Sequence, residues 1–222
     1  MTGRFCHLQP LDPNRHGTDL HSVLCADSDP RIWTYLPYGP FATSDEFSHW
    51  LQIQAKAEDP QFYAILDPST QRAVGLASYL RITPAAGSIE VGHLLFSPTL
   101  RRTPAATEAM YLMMARAFRL GYRRYEWKCD AWNEPSRAAA RRLGFAFEGL
   151  FRQAIVYKGR SRDTAWYSVI DRDWPELEAV FRKWLDPSNF DEHQRQRARL
   201  SAGTESLRLR DASLPEEPRP VA

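Results

Sequence analysis

The stretch IEVGHLLFSPTLRRTPAATEAM, Ile89–Met110, runs from an apolar segment through two arginines into a row of small residues. Its first part has the composition of a β-strand. Thr103 and Pro104 predict a helix start, with Thr103 as N-cap and Pro104 at the first helical position, where the missing N–H would have had no intrahelical partner. The apolar run that follows predicts a helix as far as Leu120. The segment therefore predicts a strand that leads through a charged loop into a long helix.

The first turn of this predicted helix has the composition of an anion site. Arg101 and Arg102 precede the helix, and Ala105 and Ala106 are small enough for a bulky anion to approach the backbone. The amides of Ala105, Ala106 and Thr107 lack partners inside the helix, and the helix dipole favours negative charge at this end. Phosphate binds at such places. A capped core helix preceded by two solvated arginines is the alternative.

The segments on either side predict a mixture of strands and helices. In chain order these are a short strand (RFCHLQPLDP), a helix (Arg15–Asp27), a helix with Ser44 as N-cap, a hairpin (QFYAILD and AVGLASYLRI), the opening segment, a strand (YRRYEWKCDA), a helix that starts at Asn133 and stops at Gly144, two strands around the turn KGRSRD, and a helix (DWPELEAVFRKWL). This order predicts an α/β fold with a mixed sheet and helices on its faces.

Composition narrows the class of protein. The chain has 222 residues, 43% of them hydrophobic and 25% charged, which is typical of a soluble globular protein. The net charge of +2 gives no argument for nucleic acid. Its three cysteines, Cys6, Cys25 and Cys129, include no Cys-x-x-Cys pair, so neither a zinc site nor a disulfide framework is expected. The N-terminus does not resemble a signal peptide, no apolar run is long enough for a membrane helix, and a cytoplasmic location is expected.

Several common catalytic motifs are absent from the sequence. It contains no Gly-x-x-x-x-Gly-Lys-Ser/Thr loop and no Gly-x-Gly-x-x-Gly turn, and neither His-Glu-x-x-His nor Gly-x-Ser-x-Gly occurs. A nucleotide hydrolase, a dinucleotide-dependent dehydrogenase, a zinc protease and an α/β-hydrolase are therefore unsupported.

The C-terminal part differs in composition from the rest. We expect one domain over residues 1–188 and a polar, partly disordered extension over residues 189–222. From Phe190 onward the extension carries six charges of each sign, with arginine-rich stretches and a Pro/Glu-rich end. A solvated tail is the simplest interpretation. A docking helix for a partner subunit is the alternative.

Three blocks of the sequence resemble the GNAT superfamily of acyl-CoA-dependent N-acetyltransferases: IEVGHLLFSPTLRRTPAATEAM, YRRYEWKCDAWNEPSRAAARRLGFAFEGLFR and KGRSRDTAW. The chain is most similar to the RimJ/RimL-type branch, which includes acetyltransferases of ribosomal-protein amino termini. The resemblance covers Leu8–Leu185 and is most specific over Asn133–Gly149. It implies a GNAT fold, in which a mixed, mostly antiparallel twisted sheet has helices on both faces. It also implies that two central strands, Ile89–Phe96 and Tyr125–Asp130, are splayed apart.

The resemblance further implies acetyl-CoA as co-substrate and no metal. The family's pyrophosphate pattern, Arg/Gln-x-x-Gly-x-Gly/Ala, falls on Arg101–Ala106, with Pro104 in place of the first glycine. The pantetheine arm is expected between the splayed strands, Asn133 near the pantetheine and Ser136 near the sulfur; Asn133 as a simple N-cap is the alternative. The residues expected to bind acetyl-CoA are Leu94, Leu95, Phe96, Arg101, Arg102, Thr103, Ala105, Ala106, Thr107, Asn133 and Ser136.

Acetyl transfer to an amine needs a neutral amine, a polarised carbonyl, a stabilised leaving thiolate and reactants held in line. The resemblance implies direct attack in a ternary complex, without an acyl-enzyme. We expect Ser136 beside the leaving sulfur, a backbone N–H near Leu94–Phe96 at the carbonyl, and Glu90 as the base through water, with His93 as second candidate. Glu90 and His93 lie three apart on a strand, so their side chains face opposite sides unless a bulge intervenes. Structural roles in the sheet are the alternatives for both.

The acceptor is expected to be a small-molecule amine or an amino-terminal amine. Tyr35, Tyr38 and Phe41, on an early aromatic loop, are the expected substrate-side residues. The moderate charge favours a small molecule; no membrane partner is expected, nucleic acid is not favoured, and a homodimer is left open. Two rival functions remain at this point: a CoA-binding module without turnover, and an RNA- or ribosome-associated protein that uses the arginine-rich tail.

Overall fold

A computed structural model describes residues 1–193, 195–208 and 215–218. In this part of the chain the α-helices are α1 (Pro13–His21), α2 (Ser44–Lys56), α3 (Pro104–Arg119), α4 (Glu134–Arg142), α5 (Trp174–Leu185) and α6 (Leu200–Arg208). The strands are β1 (His7–Pro10), β2 (Gln61–Leu66), β3 (Ala73–Thr83), β4 (Ser88–Phe96), β5 (Arg124–Asp130), β6 (Ala146–Tyr157) and β7 (Arg160–Ile170). The predicted α/β class with a mostly antiparallel sheet is confirmed.

The chain forms two compact units. The first comprises Met1–Pro84 and Ile89–Arg116, and the second comprises Ala85–Ser88 and Ala117–Ala222. The predicted site residues are divided between the two units.

In the first unit the strands lie in the order β1-β2-β3-β4. β1 pairs with β2 and β2 with β3, both antiparallel. The predicted hairpin of β2 and β3 is confirmed. The core under α1 and α2 is built from buried apolar and aromatic side chains: Leu11, Leu20, Leu24, Trp33, Phe47, Trp50, Leu51, Phe62, Ala64, Leu66, Ala73, Leu76 and Leu95.

The start of α2 corrects one prediction. Ser44 is the first helical residue, and Thr43 is the N-cap, because its side chain accepts the Glu46 amide at 3.2 Å. The Glu46 carboxylate in turn accepts the Ala42 amide at 2.8 Å. This reciprocal arrangement satisfies two donors at the helix start, as in a capping box.

In the second unit β7 lies between β5 and β6 and is antiparallel to both. The turn between β6 and β7 is shorter than predicted. Only Lys158 and Gly159 separate the strands, both with positive φ (49° and 72°), and the rest of the KGRSRD motif belongs to β7. Two successive left-handed residues match the twist of a tight hairpin, which explains why the paired strands begin immediately.

The described residues of the extension, 189–193 and 195–208, pack against the rest of the second unit. Phe190 packs edge-on against Trp184, with 5.2 Å between ring centroids. Leu200 in α6 is buried, and Thr204 donates to the carbonyl oxygen of Arg142 at 3.0 Å. The expected solvated tail therefore does not describe residues 189–193 and 195–208. Residues 209–214 and 219–222 lie outside the described part, and the boundary at residues 188/189 stays a prediction.

Candidate active site

The start of α3 is as predicted, with one change at its amides. The helix begins at Pro104, and the Thr103 hydroxyl accepts the Ala106 amide at 3.3 Å while it donates to the Leu100 carbonyl at 2.6 Å. The Ala106 amide, expected to be available to an anion, is therefore capped. The contact is long, so an anion that binds here competes with a weak hydrogen bond. Ala105 and Ala106 are only partly buried, which leaves their backbone approachable.

Both arginines before α3 are exposed. Arg101 folds back on the preceding strand, where its Nε donates to the Phe96 carbonyl at 2.8 Å. Arg102 has a φ of 61°, a left-handed conformation that is uncommon for a residue other than glycine. The loop thus carries two cations beside the helix end, and one of them is tied to the end of β4. This arrangement is suited to an anion such as a phosphate.

Glu90 on β4 is buried and paired across the sheet. Arg81 Nη1 on β3 donates to both carboxylate oxygens at 2.8 Å. The pairs Ser78–Gly92, Arg81–Glu90 and Val74–Ser97 run in opposite directions along β3 and β4, as in an antiparallel hairpin. The Glu90 carboxylate is thus held in place by the Arg81 guanidinium.

His93 lies in an aromatic environment in the first unit. Its Nδ1 is 2.7 Å from the Tyr38 hydroxyl, its ring stacks on Tyr38, and Phe62 is a further ring neighbour. Burial, assisted by the charge of Arg81, lowers the pKa of His93 to about 4. Burial also raises the pKa of Tyr38. At neutral pH both side chains are therefore uncharged.

Strand β4 is locally irregular at His93. His93 has a φ of 51°, which interrupts the regular alternation of the strand. Arg81 binds Glu90 directly, and its charge also acts on His93. One guanidinium thus influences both base candidates, by direct contact at Glu90 and through its charge at His93. Sequence analysis missed Arg81 because its pairing depends on strand register.

The other expected acetyl-CoA contacts on β4 differ in burial. Leu95 is buried in the first unit's core, whereas Leu94 and Phe96 are only partly buried. Tyr38 and Phe41 pack against the same core, each in contact with Trp33 and Trp50, and Tyr35 is half-buried. The aromatic loop is thus packed into the first unit. An acceptor that contacts this loop would therefore meet side chains that are already held in place.

In the second unit, Asn133 and Ser136 form the start of α4. Asn133 is the N-cap, and its side chain accepts the Ser136 amide at 3.2 Å. Ser136 Oγ accepts the indole N–H of Trp127 at 3.1 Å. Ser136 also hydrogen-bonds Cys129, but burial dominates there and raises the pKa of that thiol to about 11. The hydroxyl is thus oriented by two neighbours, the indole of Trp127 and the thiol of Cys129.

The described residues offer neither a metal site nor a membrane-spanning helix. Among residues 1–193, 195–208 and 215–218, no group of three or more His, Cys, Asp or Glu side chains could hold a metal ion. In the same residues, no helix combines the length and apolarity needed to cross a bilayer. A cleft of about 800 Å³ lies between the β1–α1 connection and the end of α2, and none of the predicted site residues lines it.

Comparisons with known proteins show which family the chain resembles in sequence and fold. The GNAT acetyltransferase domain matches residues 8–146. A GCN5-related N-acetyltransferase from Brucella melitensis is 44% identical, with a TM-score of 0.89 over 92% of this chain and 93% of that one. A probable GNAT-family acetyltransferase from Chromobacterium violaceum is 47% identical, with a TM-score of 0.73 over 78% of this chain and 87% of that one.

A curated relative extends the same likeness at lower identity. The uncharacterized N-acetyltransferase p20 of Bacillus licheniformis is 27% identical over 158 residues, which is 68% of this chain and 88% of that protein. The matched domain spans more than half of this chain and includes β4, the start of α3 and the start of α4. The chain therefore belongs to the GNAT family of acetyltransferases and is an acyltransferase enzyme.

Proposed function

We propose that this protein is an acetyl-CoA-dependent N-acetyltransferase that transfers the acetyl group to a primary amine of a small molecule or to an amino-terminal amine. The observation that carries the proposal is the start of α3, where two exposed arginines precede a proline-started helix with partly exposed alanines. Small side chains, cations and the helix dipole suit the diphosphate of CoA. We also propose that the chain belongs to the RimJ/RimL-type branch of the family, on the basis of the sequence block Asn133–Gly149.

The residues of each unit have separate proposed roles. In the first unit, Arg101, Arg102 and the α3 amides bind the diphosphate, and the backbone of Leu94–Phe96 contacts the pantetheine and the thioester carbonyl. In the second unit, Asn133 binds the pantetheine and Ser136 lies beside the sulfur. Acetyl-CoA supplies the activated acyl group, and the protein contributes orientation and polar groups.

The proposed reaction is a direct attack of the neutral amine on the thioester. The N–C bond forms and the C–S bond breaks, while a backbone N–H stabilises the oxyanion. Glu90 accepts the amine proton through a water, and Ser136 donates its hydroxyl proton toward the leaving thiolate and recovers it from solvent. His93 is the second base candidate, because its Nδ1 already lies 2.7 Å from the Tyr38 hydroxyl.

A small-molecule amine is the preferred acceptor. The aromatic side chains of Tyr35, Tyr38 and Phe41 and the balanced net charge support this choice over a nucleic-acid-associated substrate. We also propose a cytoplasmic location, because all three cysteines are unpaired thiols. A homodimer is part of the proposal as well.

An acetyl-CoA assay over a panel of amines tests the proposal. Thiol release is followed spectroscopically, and mass spectrometry identifies the acetylated product among small amines and amino-terminal peptides. We expect turnover with at least one small primary amine. Binding of acetyl-CoA without turnover on any amine would favour the CoA-binding module instead, and loss of acetyl-CoA binding would remove the basis of the proposal.

A further inference from the structure

A carboxylate from the C-terminal segment is held at the start of α4. Glu217 Oε1 accepts from Arg137 Nε at 2.6 Å, from Arg141 Nη1 at 2.7 Å and from the Tyr167 hydroxyl. The next residue, Pro218, accepts from Arg137 Nη2 at 2.6 Å through its carbonyl. One carboxylate oxygen thus joins two successive turns of α4 to β7.

Arg137 is the centre of this cluster. It is 5% exposed, and it lies in the first turn of α4, where the helix dipole disfavours a cation. A buried guanidinium is costly unless an anion is paired with it. Among the described residues Glu134 also approaches Arg137, but only at 3.7 Å and with its side chain 42% exposed. Glu217 is therefore the closer carboxylate for this guanidinium.

The same guanidinium supports the turn that precedes α4. Arg137 Nη1 donates to the Ala131 carbonyl at 3.1 Å. That turn is also tied to Asp130, which accepts the amides of Trp132 and Asn133. Arg137 therefore connects Glu217 to the backbone that sets the direction of Asn133.

The ionisation of Glu217 is consistent with this role. Burial raises the pKa of Glu217, but the hydrogen bonds from Tyr167, Arg141 and Arg137 outweigh it, and the pKa lies below its usual value. The carboxylate is therefore negative at neutral pH. Its neighbour Glu216 is exposed and has no contact in this cluster, which makes it a matched control.

We propose that Glu217 is a positioning residue for the acetyl-CoA-binding turn Asn133–Ser136, and that it acts through Arg137. This inference rests on the proposed function of Asn133 and Ser136. Without the carboxylate, Arg137 is left buried without its closest anion, and its hold on Ala131 is weakened. The C-terminal segment, which lies outside the matched GNAT domain, then contributes to acetyl-CoA binding without touching it.

The test compares Glu217→Gln with Glu216→Gln in the full-length chain. Hydrogen exchange of the backbone amides in residues 131–137, read by mass spectrometry, reports the turn directly. We expect exchange faster by roughly 5-fold or more in E217Q only, since loss of the carboxylate destabilises local structure. We expect the KM for acetyl-CoA to rise about 5–10-fold in E217Q, with kcat changed less than about 3-fold. Glu217→Asp should recover part of both effects.

The outcomes separate the two proposals. If E217Q and E216Q behave alike in exchange and in KM, the inference is overturned. If exchange in E217Q is faster while KM is unchanged, Glu217 only stabilises the fold, and the inference is also overturned. If the wild-type chain does not bind acetyl-CoA, the proposed function fails, and the exchange difference alone decides whether Glu217 holds the turn. Should E217Q fail to fold, the comparison is made with E217D, for which we expect smaller changes of the same sign.

Discussion

At the scale of the residue, the side chains proposed for chemistry are each held by a specific neighbour. Ser136 is fixed by Trp127, Glu90 by Arg81 and His93 by Tyr38. Each neighbour limits what the proposed residue can do. The Ser136 hydroxyl accepts from the Trp127 indole, and His93 stays neutral.

Ser136→Ala is expected to lower kcat about 10–100-fold, because the leaving thiolate loses its proton donor. The dissociation constant for acetyl-CoA should stay within about 2-fold, since most of the binding contacts remain. Steady-state kinetics and calorimetry measure the two quantities. Trp127→Phe removes the indole donor and keeps the hydroxyl, so it should retain most of kcat. An equal loss of kcat and affinity in S136A would indicate a structural role.

His93 makes the stability of the protein depend on pH. Its pKa is about 4 in the folded state and near 6.5 in an unfolded chain, so the unfolded state binds the proton more readily. The stabilisation is therefore complete above about pH 6.5 and is lost as the pH falls toward 4. When the pH falls from 7 to 4, the free energy of unfolding should drop less in His93→Asn than in the wild type. The difference between the two drops should be about 2–4 kcal/mol.

Urea unfolding at several pH values measures this difference. The control is His49→Asn, because His49 is exposed on α2 and should leave the pH dependence as in the wild type. Identical pH dependence in H93N and wild type would contradict the burial argument for His93.

At the scale of the element, α3 combines a structural cap with a proposed binding site. Thr103 and Pro104 fix where the helix begins, and the same turn carries the amides proposed for the diphosphate. Because the Thr103 hydroxyl already accepts the Ala106 amide, the arginines before the helix carry a larger share of the proposed attraction.

Arg101→Ala is expected to weaken acetyl-CoA binding roughly 3–10-fold, since a cation beside the helix end is lost. The fold should be unaffected, because Arg101 is exposed. Isothermal titration calorimetry with acetyl-CoA measures the change. Arg119→Ala, at the other end of α3, is the control and should bind as the wild type does. Unchanged affinity in R101A would count against the diphosphate assignment.

At the scale of the whole molecule, the C-terminal extension is part of the fold as far as Arg208. Leu200 and Thr204 are buried, and Trp184 donates to Gln196 at 3.0 Å. Arg195, Arg197 and Arg199 of this segment stay exposed, so the packing uses its apolar and neutral polar side chains. Its polar composition reflects the exposed side of a folded segment.

Leu200→Ala is expected to destabilise the protein by about 2–4 kcal/mol, because it leaves a cavity in a buried position. Chemical unfolding followed by circular dichroism measures the loss. Glu205→Ala, at an exposed position of α6, should change stability by less than about 0.5 kcal/mol. Equal stabilities of the two variants would show that α6 contributes little to the fold.

The sequence by itself determined the elements whose signals are local. Thr103–Pro104 gave the start of α3, and Asn133 gave the N-cap of α4, because caps depend on residues within one turn. The apolar periodicity of β2, β3 and α5 likewise depends only on nearby residues. The two local errors have the same origin. Ser44 and Thr43 are both good caps, and the turn residues of KGRSRD do not mark where strand pairing begins.

The tertiary structure decided which side chains meet. The Arg81–Glu90 pair depends on the register of β3 and β4, and the contact of His93 with Tyr38 joins residues 55 positions apart. The contact between Glu217 and Arg137 joins residues 80 positions apart. Such contacts are fixed by packing and pairing across the whole chain, and no window of sequence contains them.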